Sequence, residues 1–211
     1  GERAIRRGER LIGTAPVSAT IRFNRDGEGM DDPLIPTVPD LATMSTGALN
    51  ALAAQDAPFF LMIEGGAVDW AAHANNLPRL IEEQIGFNLA IEAVVDWVET
   101  HSSWEETLIV VTTDHGNGLL LGPDSLDEPF QTVTGQGAGE LPLARWHTDG
   151  HTNELVPVWA HGAGAEHILT HATQRDDGLA AWGVSEENRI YLDNTALNRA
   201  LHDALGLEFP N

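Results

Sequence analysis

The 211-residue sequence has no cysteine, which excludes disulfides and thiolate metal sites. The redox compartment stays open, because a cysteine-free chain tolerates oxidising and reducing surroundings alike. Lysine is also absent: the 11 basic residues are all arginine and stand against 32 Asp+Glu, a formal net charge of −21. A surface this acidic repels nucleic acid and anionic membranes and argues against both as partners. It suits a strongly solvated, salt-tolerant exterior, and such a diffuse field does not by itself place a metal ion. No apolar run approaches the ~20 residues that span a bilayer. The opening GERAIRRGERLIG lacks both Met and the apolar stretch of a signal peptide. It is charged and helix-like, as if continued from upstream, so a fragment or processed chain is expected.

What is present suffices for one sizeable core. With 42% hydrophobic residues, a single domain with an insertion is expected. Within residues 1–36, VSATIRF alternates like a short strand and NRDGEGMDDPLIP reads as a loop. Residues 38–54 predict an amphipathic helix through Leu41, Met44, Ala48 and Leu52, with Thr37 as N-cap and Asp40 near the positive helix end. FFLMIE (59–64) is a wholly apolar run ending in a carboxylate, as a buried parallel strand would be. EGG then turns and VDWAAHA starts a helix. A longer helix is predicted over 78–100, its buried side marked by Leu80, Ile81, Ile85, Leu89, Val94, Trp97 and Val98. TLIVVTTDH (107–115) and VPVWAHG (156–162) read as further strands, and 116–150 as an inserted loop region. The tail YLDNTALNRALHDALGL reads as an extended piece, an N-cap at Asn194 or Thr195, and a closing helix.

This order is an α/β pattern. In open parallel sheets, sites form at the carboxyl ends of strands, where Glu64, Asp114 and His115 fall. Asp69 and His73 are four apart, so a helix puts both on one face. Asp114-His115 leaves a strand end, and His151 precedes the third strand. Mixed oxygen and nitrogen donors of this kind suit Zn²⁺, and an all-oxygen position suits Mg²⁺. Each pair alone also fits a capping residue or a surface ion pair.

Three segments, FFLMIEGGAVDWAAHANN, TLIVVTTDHGNG and HTNELVPVWAHGAGAE, taken in that order, resemble the alkaline phosphatase family. The resemblance runs from about residue 33 to the C-terminus. It implies a large, mostly parallel sheet sandwiched between helices, incomplete in this chain and usually assembled as a homodimer. By matching motif positions, it also implies a ligand set. Glu64 in E-G would hold Mg²⁺, and Asp69 and His73 in D-x-x-x-H would bind the first Zn²⁺. His151 in H-T-x-x-x-V-P would complete that site, and Asp114 and His115 in T-x-D-H would bind the second Zn²⁺. The implied activity is hydrolysis of small phosphate monoesters through a serine nucleophile, after export to a periplasm or the outside.

That serine belongs in an upstream D-S-x-x-[ST] motif, which this sequence lacks. Only Ser125 follows an Asp, and it lies in the insertion after Asp114-His115. The chain therefore reads as the C-terminal half of the enzyme, inactive without an N-terminal half. His147, four before His151, is open between a role supporting the ligands or facing the substrate and that of an ordinary loop histidine. Trp70 stands where the family varies, near the Mg²⁺ site. Thr113, Trp146 and Trp159 read as packing residues, and His161, His167 and His171 as structural or exposed. Alternatives are a phosphodiesterase, sulfatase or phosphomutase of the same superfamily, or a non-catalytic metal-binding fragment.

Overall fold

The computed structural model describes residues 10–27, 30 and 32–208. The predicted helix-like opening lies largely outside them. The chain divides into two compact units, Gly1–His101 and Ser102–Asn211. No helix among the described residues is long and apolar enough to cross a membrane.

The first unit is built on helices α1 (Leu41–Ala53), α2 (Ala67–His73) and α3 (Leu77–His101). The N-cap of α1 is Asp40 rather than Thr37, its carboxylate accepting the Thr43 N–H at 2.7 Å. Short α2 buries Ala67, Ala71 and Ala72, and these small residues let it lie close on α3. Leu49 of α1 and Ala90, Trp97 and Val98 of α3 complete the core. The Trp97 indole N–H donates to Asn50 Oδ1 at 2.9 Å, joining α3 to α1.

The buried side of α3 differs from the expected one. Trp97 and Val98 are buried, but Ile85 and Leu89 are 45% and 46% exposed, while Arg79, Glu82 and Glu83 are buried. The cause is the segment around residues 20–32, which brings its own polar groups onto the helix. Arg25 Nη2 meets Glu82 Oε1 at 2.7 Å, and Arg79 Nη1 meets Glu82 Oε2 at 2.9 Å. Arg79 Nη2 also donates to the Gly27 carbonyl at 2.7 Å. The Thr20 hydroxyl and the Phe23 N–H both donate to Glu83. Arg25, Arg79 and Glu82 are tolerated inside because they pair with one another, and Glu83 because it accepts two hydrogen bonds. The same side-chain acceptors take over the backbone of VSATIRF, which forms no strand.

FFLMIE also forms no strand. Among the described residues nothing pairs with it, and a strand exists only through its ladder. Its side chains still alternate: Phe60 and Met62 are 79% and 76% exposed, while Leu61 and Ile63 are partly covered.

In the second unit, β1 (Leu108–Thr112) pairs antiparallel with β4 (Val158–Gly162), Leu108 opposite Gly162 and Thr112 opposite Val158. Between them, β2 (Gly116–Asn117) pairs antiparallel with β3 (His151–Thr152). The rest of 116–150 is irregular, tied across by bridges at Leu121–Arg145 and Thr134–Leu143. Helices α4 (Ala165–His171) and α5 (Asn194–Ala204) pack together over Ile168 and Ala200. The N-cap of α5 is Asp193, just before the two expected positions, Asn194 and Thr195. A last pair, β5 (Gln174–Arg175) with β6 (Ile190–Tyr191), is also antiparallel. Every pairing among the described residues is thus antiparallel, unlike the mostly parallel sheet expected. A parallel pair needs a crossover, usually helical. The stretch between β1 and β4 contains no helix.

Candidate metal centre

The first candidate pair sits on α2. Asp69 occupies the first turn, where the positive helix end favours a carboxylate, and His73 the last. The alanine face of α2 is turned to α3, which leaves the Asp69–His73 face accessible. His73 Nε2 stands 3.4 Å from Asp69 Oδ2. Glu64, just before the helix, is exposed, and its Oε1 lies 3.2 Å from where a Cβ on Gly66 would be. Gly65 is required by close packing rather than by a sharp turn, since a Cβ there would sit 2.8 Å from the Phe87 ring. Trp70 is 45% exposed and meets Phe23 edge-on, ring centres 5.6 Å apart.

The second group lies at the end of β1. Asp114 is exposed and His115 partly buried, with His115 Nε2 3.5 Å from Asp114 Oδ2. His115 Nδ1 faces the Gly116 carbonyl at 3.2 Å. Donation of an Nδ1 proton to that carbonyl leaves the Nε2 lone pair directed at the carboxylate side. Thr113 lies just beyond the strand, its hydroxyl donating to the His115 carbonyl at 3.1 Å. The His151 ring stacks on His115, centres 3.5 Å apart and planes 23° from parallel.

What joins His115 to His151 is backbone. Gly116 pairs with Thr152 and Asn117 with His151. Gly118 N–H donates to the Gly150 carbonyl at 3.0 Å, and the Gly118 carbonyl accepts from His147 and Thr148 at 3.0 and 3.2 Å. Gly118 has φ +80°, and a Cβ there would lie 2.4 Å from the Trp146 ring, so only glycine fits. Trp146 is thus a packing residue as expected, whereas Trp159 is 61% exposed. His161 rests edge-on against Trp104, and His171 pairs with Asp203 at 2.8 Å.

Both carboxylate–imidazole separations are longer than a direct hydrogen bond. A direct charge-assisted hydrogen bond brings N and O to about 2.7–2.9 Å. Two donors each about 2.0–2.1 Å from a tetrahedral Zn²⁺ lie about 3.3–3.4 Å apart. The observed 3.4 and 3.5 Å exceed the first and leave room for the second, and they also match the separation of a loose ion pair such as Arg79–Asp32 at 3.4 Å.

The family model for alkaline phosphatase matches residues 11–135, more than half of the sequence. The chain belongs to the alkaline phosphatase family. It is 35% identical over 207 residues to alkaline phosphatase 3 of Bacillus subtilis (strain 168), covering 70% of this chain and 44% of that protein. It is 33% identical over 144 residues to streptomycin-6-phosphate phosphatase of Streptomyces griseus, covering 62% of this chain and 31% of that one. Its fold resembles a variant of the TAB5 alkaline phosphatase solved with Mg bound in the M3 site. The TM-score is 0.56 at 21% identity, over 82% of this chain and 45% of that one. This alkaline phosphatase chain therefore spans less than half the length of each. The family match includes Glu64, Asp69, His73, Asp114 and His115, and ends before His151.

One side-chain contact near the candidate site escaped the sequence. The buried Ser125 hydroxyl and His147 Nε2 are hydrogen-bonded at 2.8 Å. Both residues stand out in the sequence, but no local spacing links positions 22 residues apart.

Proposed function

We propose that this chain carries most of the metal ligands of a phosphate-monoester hydrolase of the alkaline phosphatase type. Asp69, His73 and His151 hold one Zn²⁺, Asp114 and His115 a second, and Glu64 a Mg²⁺. The observation that carries this reading is that each of the two family motifs brings a carboxylate and an imidazole side by side, 3.4 and 3.5 Å apart, on the surface of its unit. The donor chemistry agrees: imidazole nitrogen with carboxylate oxygen suits Zn²⁺, and an exposed lone carboxylate suits a Mg²⁺ that keeps several waters.

When bound, two Zn²⁺ supply Lewis-acid activation of the attacking oxygen and stabilise the departing alkoxide. The chain's own residues do the holding. Asp69 and His73 are preset by one turn of α2, and the Gly116 carbonyl sets the tautomer of His115. The nucleophilic serine is assigned to the part of the relatives' length that the 211 residues do not span. In support, Ser125 is 7% exposed and engaged with His147, and Ser45 is 3% exposed with its hydroxyl on the Leu41 carbonyl. The mostly parallel sheet would be completed in the same way. Assembly as a homodimer and residence in a periplasm or outside the cell follow from the family resemblance.

The test is a Zn²⁺ titration with turnover of p-nitrophenyl phosphate measured beside it. The purified chain should bind Zn²⁺, Asp69→Ala and His115→Ala should each weaken binding, and no turnover should appear until the remaining part of the enzyme is supplied. Unchanged Zn²⁺ binding in both variants refutes the ligand assignment, and turnover by the chain alone refutes the placing of the nucleophile.

A further inference from the structure

The β2–β3 ladder is only two residues long, yet it carries the stacked His115 and His151 rings. An isolated pairing this short does not hold itself together in water. The surrounding chain supplies the restraint, along a traceable path. Loop 121–131 is tied to segment 143–148 by three contacts. The first is the Leu121–Arg145 bridge, with N···O distances of 3.0 and 2.8 Å. The second is Arg145 Nε donating to the Pro123 carbonyl at 3.1 Å. The third is Ser125 Oγ with His147 Nε2 at 2.8 Å. From His147 the path is short, because the His147 and Thr148 N–H groups both donate to the Gly118 carbonyl. The Gly118 N–H in turn reaches the Gly150 carbonyl, next to His151.

The Ser125–His147 contact has the marks of a specific tie. Ser125 is 7% exposed, in a loop that is otherwise largely open to solvent. A hydroxyl buried at that depth needs a partner, and His147 is the one it has. His147 itself is exposed, so its ring is drawn in at Nε2 by the serine and is not packed into a core.

We propose that the Ser125–His147 hydrogen bond is a positioning clamp that holds the His115–His151 stack in place for metal binding. The metal half of this statement rests on the proposed ligand roles of His115 and His151; the clamp itself rests on the chain of contacts from Ser125 to Gly150. Neither residue touches the metal or the substrate in this scheme. Ser125 fixes His147, His147 fixes the strand that carries His151, and His151 is thereby held against His115.

The experiment compares the wild-type chain with Ser125→Ala, Ser125→Thr, His147→Ala, the Ser125→Ala/His147→Ala double variant and His115→Ala. The first readout uses no metal. The ring-proton NMR shifts of His115 and His151 report their mutual stacking. Ser125→Ala and His147→Ala should move both sets together, the double variant no further than either single one, and Ser125→Thr should restore them. The second readout is Zn²⁺ affinity by chelator competition, which should fall about tenfold in Ser125→Ala and in His147→Ala. Ring shifts identical to wild type in a folded Ser125→Ala overturn the clamp. If His115→Ala weakens Zn²⁺ binding but Ser125→Ala does not, the ligand reading stands and the clamp proposal fails. If His115→Ala leaves Zn²⁺ binding unchanged, the ligand reading fails and takes the metal half of the proposal with it. Circular dichroism monitors folding; should Ser125→Ala not fold, His147→Ala at the exposed partner decides the same question.

Discussion

Replacing Glu82 by Gln removes one charge from the interior of the first unit and leaves two buried arginines short of their shared acceptor. The Glu82 carboxylate accepts from two guanidinium groups, Arg25 at 2.7 Å and Arg79 at 2.9 Å, and the side chains of all three are at most 8% exposed. An amide keeps the shape but directs N–H donors at a guanidinium that can only donate. Breaking a buried ion pair by removing one partner costs about 3–5 kcal/mol. The lower end applies, because the arginines retain other acceptors. Arg79 has Asp32 at 3.4 Å and the Gly27 carbonyl at 2.7 Å, and Arg25 has the Arg22 carbonyl at 3.1 Å. The expected loss is therefore about 3 kcal/mol. Urea denaturation followed by helical circular dichroism measures it, since the cluster is built on α3. The loss should change little between low and high salt, because buried pairs are poorly screened. Replacing Arg25, Arg79 and Glu82 together with apolar residues of similar volume should cost far less than the single change. A loss below about 1 kcal/mol for Glu82→Gln, typical of an exposed pair, would refute the reasoning.

Asp40 offers a pH test. The Thr43 side chain and N–H hold its carboxyl below the usual aspartate range, so folding favours the ionised form. The cap's contribution is then complete above the unfolded aspartate value of about 3.9 and is lost as pH falls through the lower folded value. Asp40→Ala should cost about 1 kcal/mol at pH 7 and progressively less in strong acid, read by helical circular dichroism during denaturation. Gly118→Ala meets both a positive φ and the Trp146 ring at 2.4 Å, and should cost about 1–3 kcal/mol while weakening Zn²⁺ binding. Gly135→Ala, where nothing lies within 4 Å and φ is not positive, is the control and should be near neutral in both assays.

Local spacing made four of the helices and two of the strands legible; α4 (Ala165–His171) was not expected. Residues 78–100 and 38–54 carry sustained apolar periodicity and appear as Leu77–His101 and Leu41–Ala53. The strands at 107–115 and 156–162 appear as Leu108–Thr112 and Val158–Gly162. The misses share a cause, namely that the deciding partner is remote in sequence. FFLMIE has strand composition, but composition does not supply a ladder. Arg79, Glu82 and Glu83 look like a solvated face until a loop some 50 residues away covers them; Glu82 and Arg25 are separated by 57 positions. At the candidate site the same division holds. Asp69 with His73, and Asp114 with His115, are visible as pairs because one helical turn or one peptide bond brings them together. The His115–His151 stack depends on a two-residue pairing closed by Gly118, and no pattern of residue types announces it.

The charge balance and the candidate centre express one physical distinction. A net charge of −21 draws cations towards the whole surface, but salt screens such a field within about 8 Å at physiological ionic strength. Two arginines are withdrawn from that surface into the first unit, Arg25 and Arg79, but Glu82 and Glu83 go with them, so the net charge of the exterior is unchanged. Arginine suits this interior work where lysine would not. Its planar fork serves a carboxylate and a carbonyl at once, as Arg79 serves Glu82 and Gly27. The field therefore concentrates divalent ions without choosing among sites. In the proposed centre, choice comes from donor pairs held together locally, Asp69 with His73 on α2 and Asp114 with His115 at the end of β1.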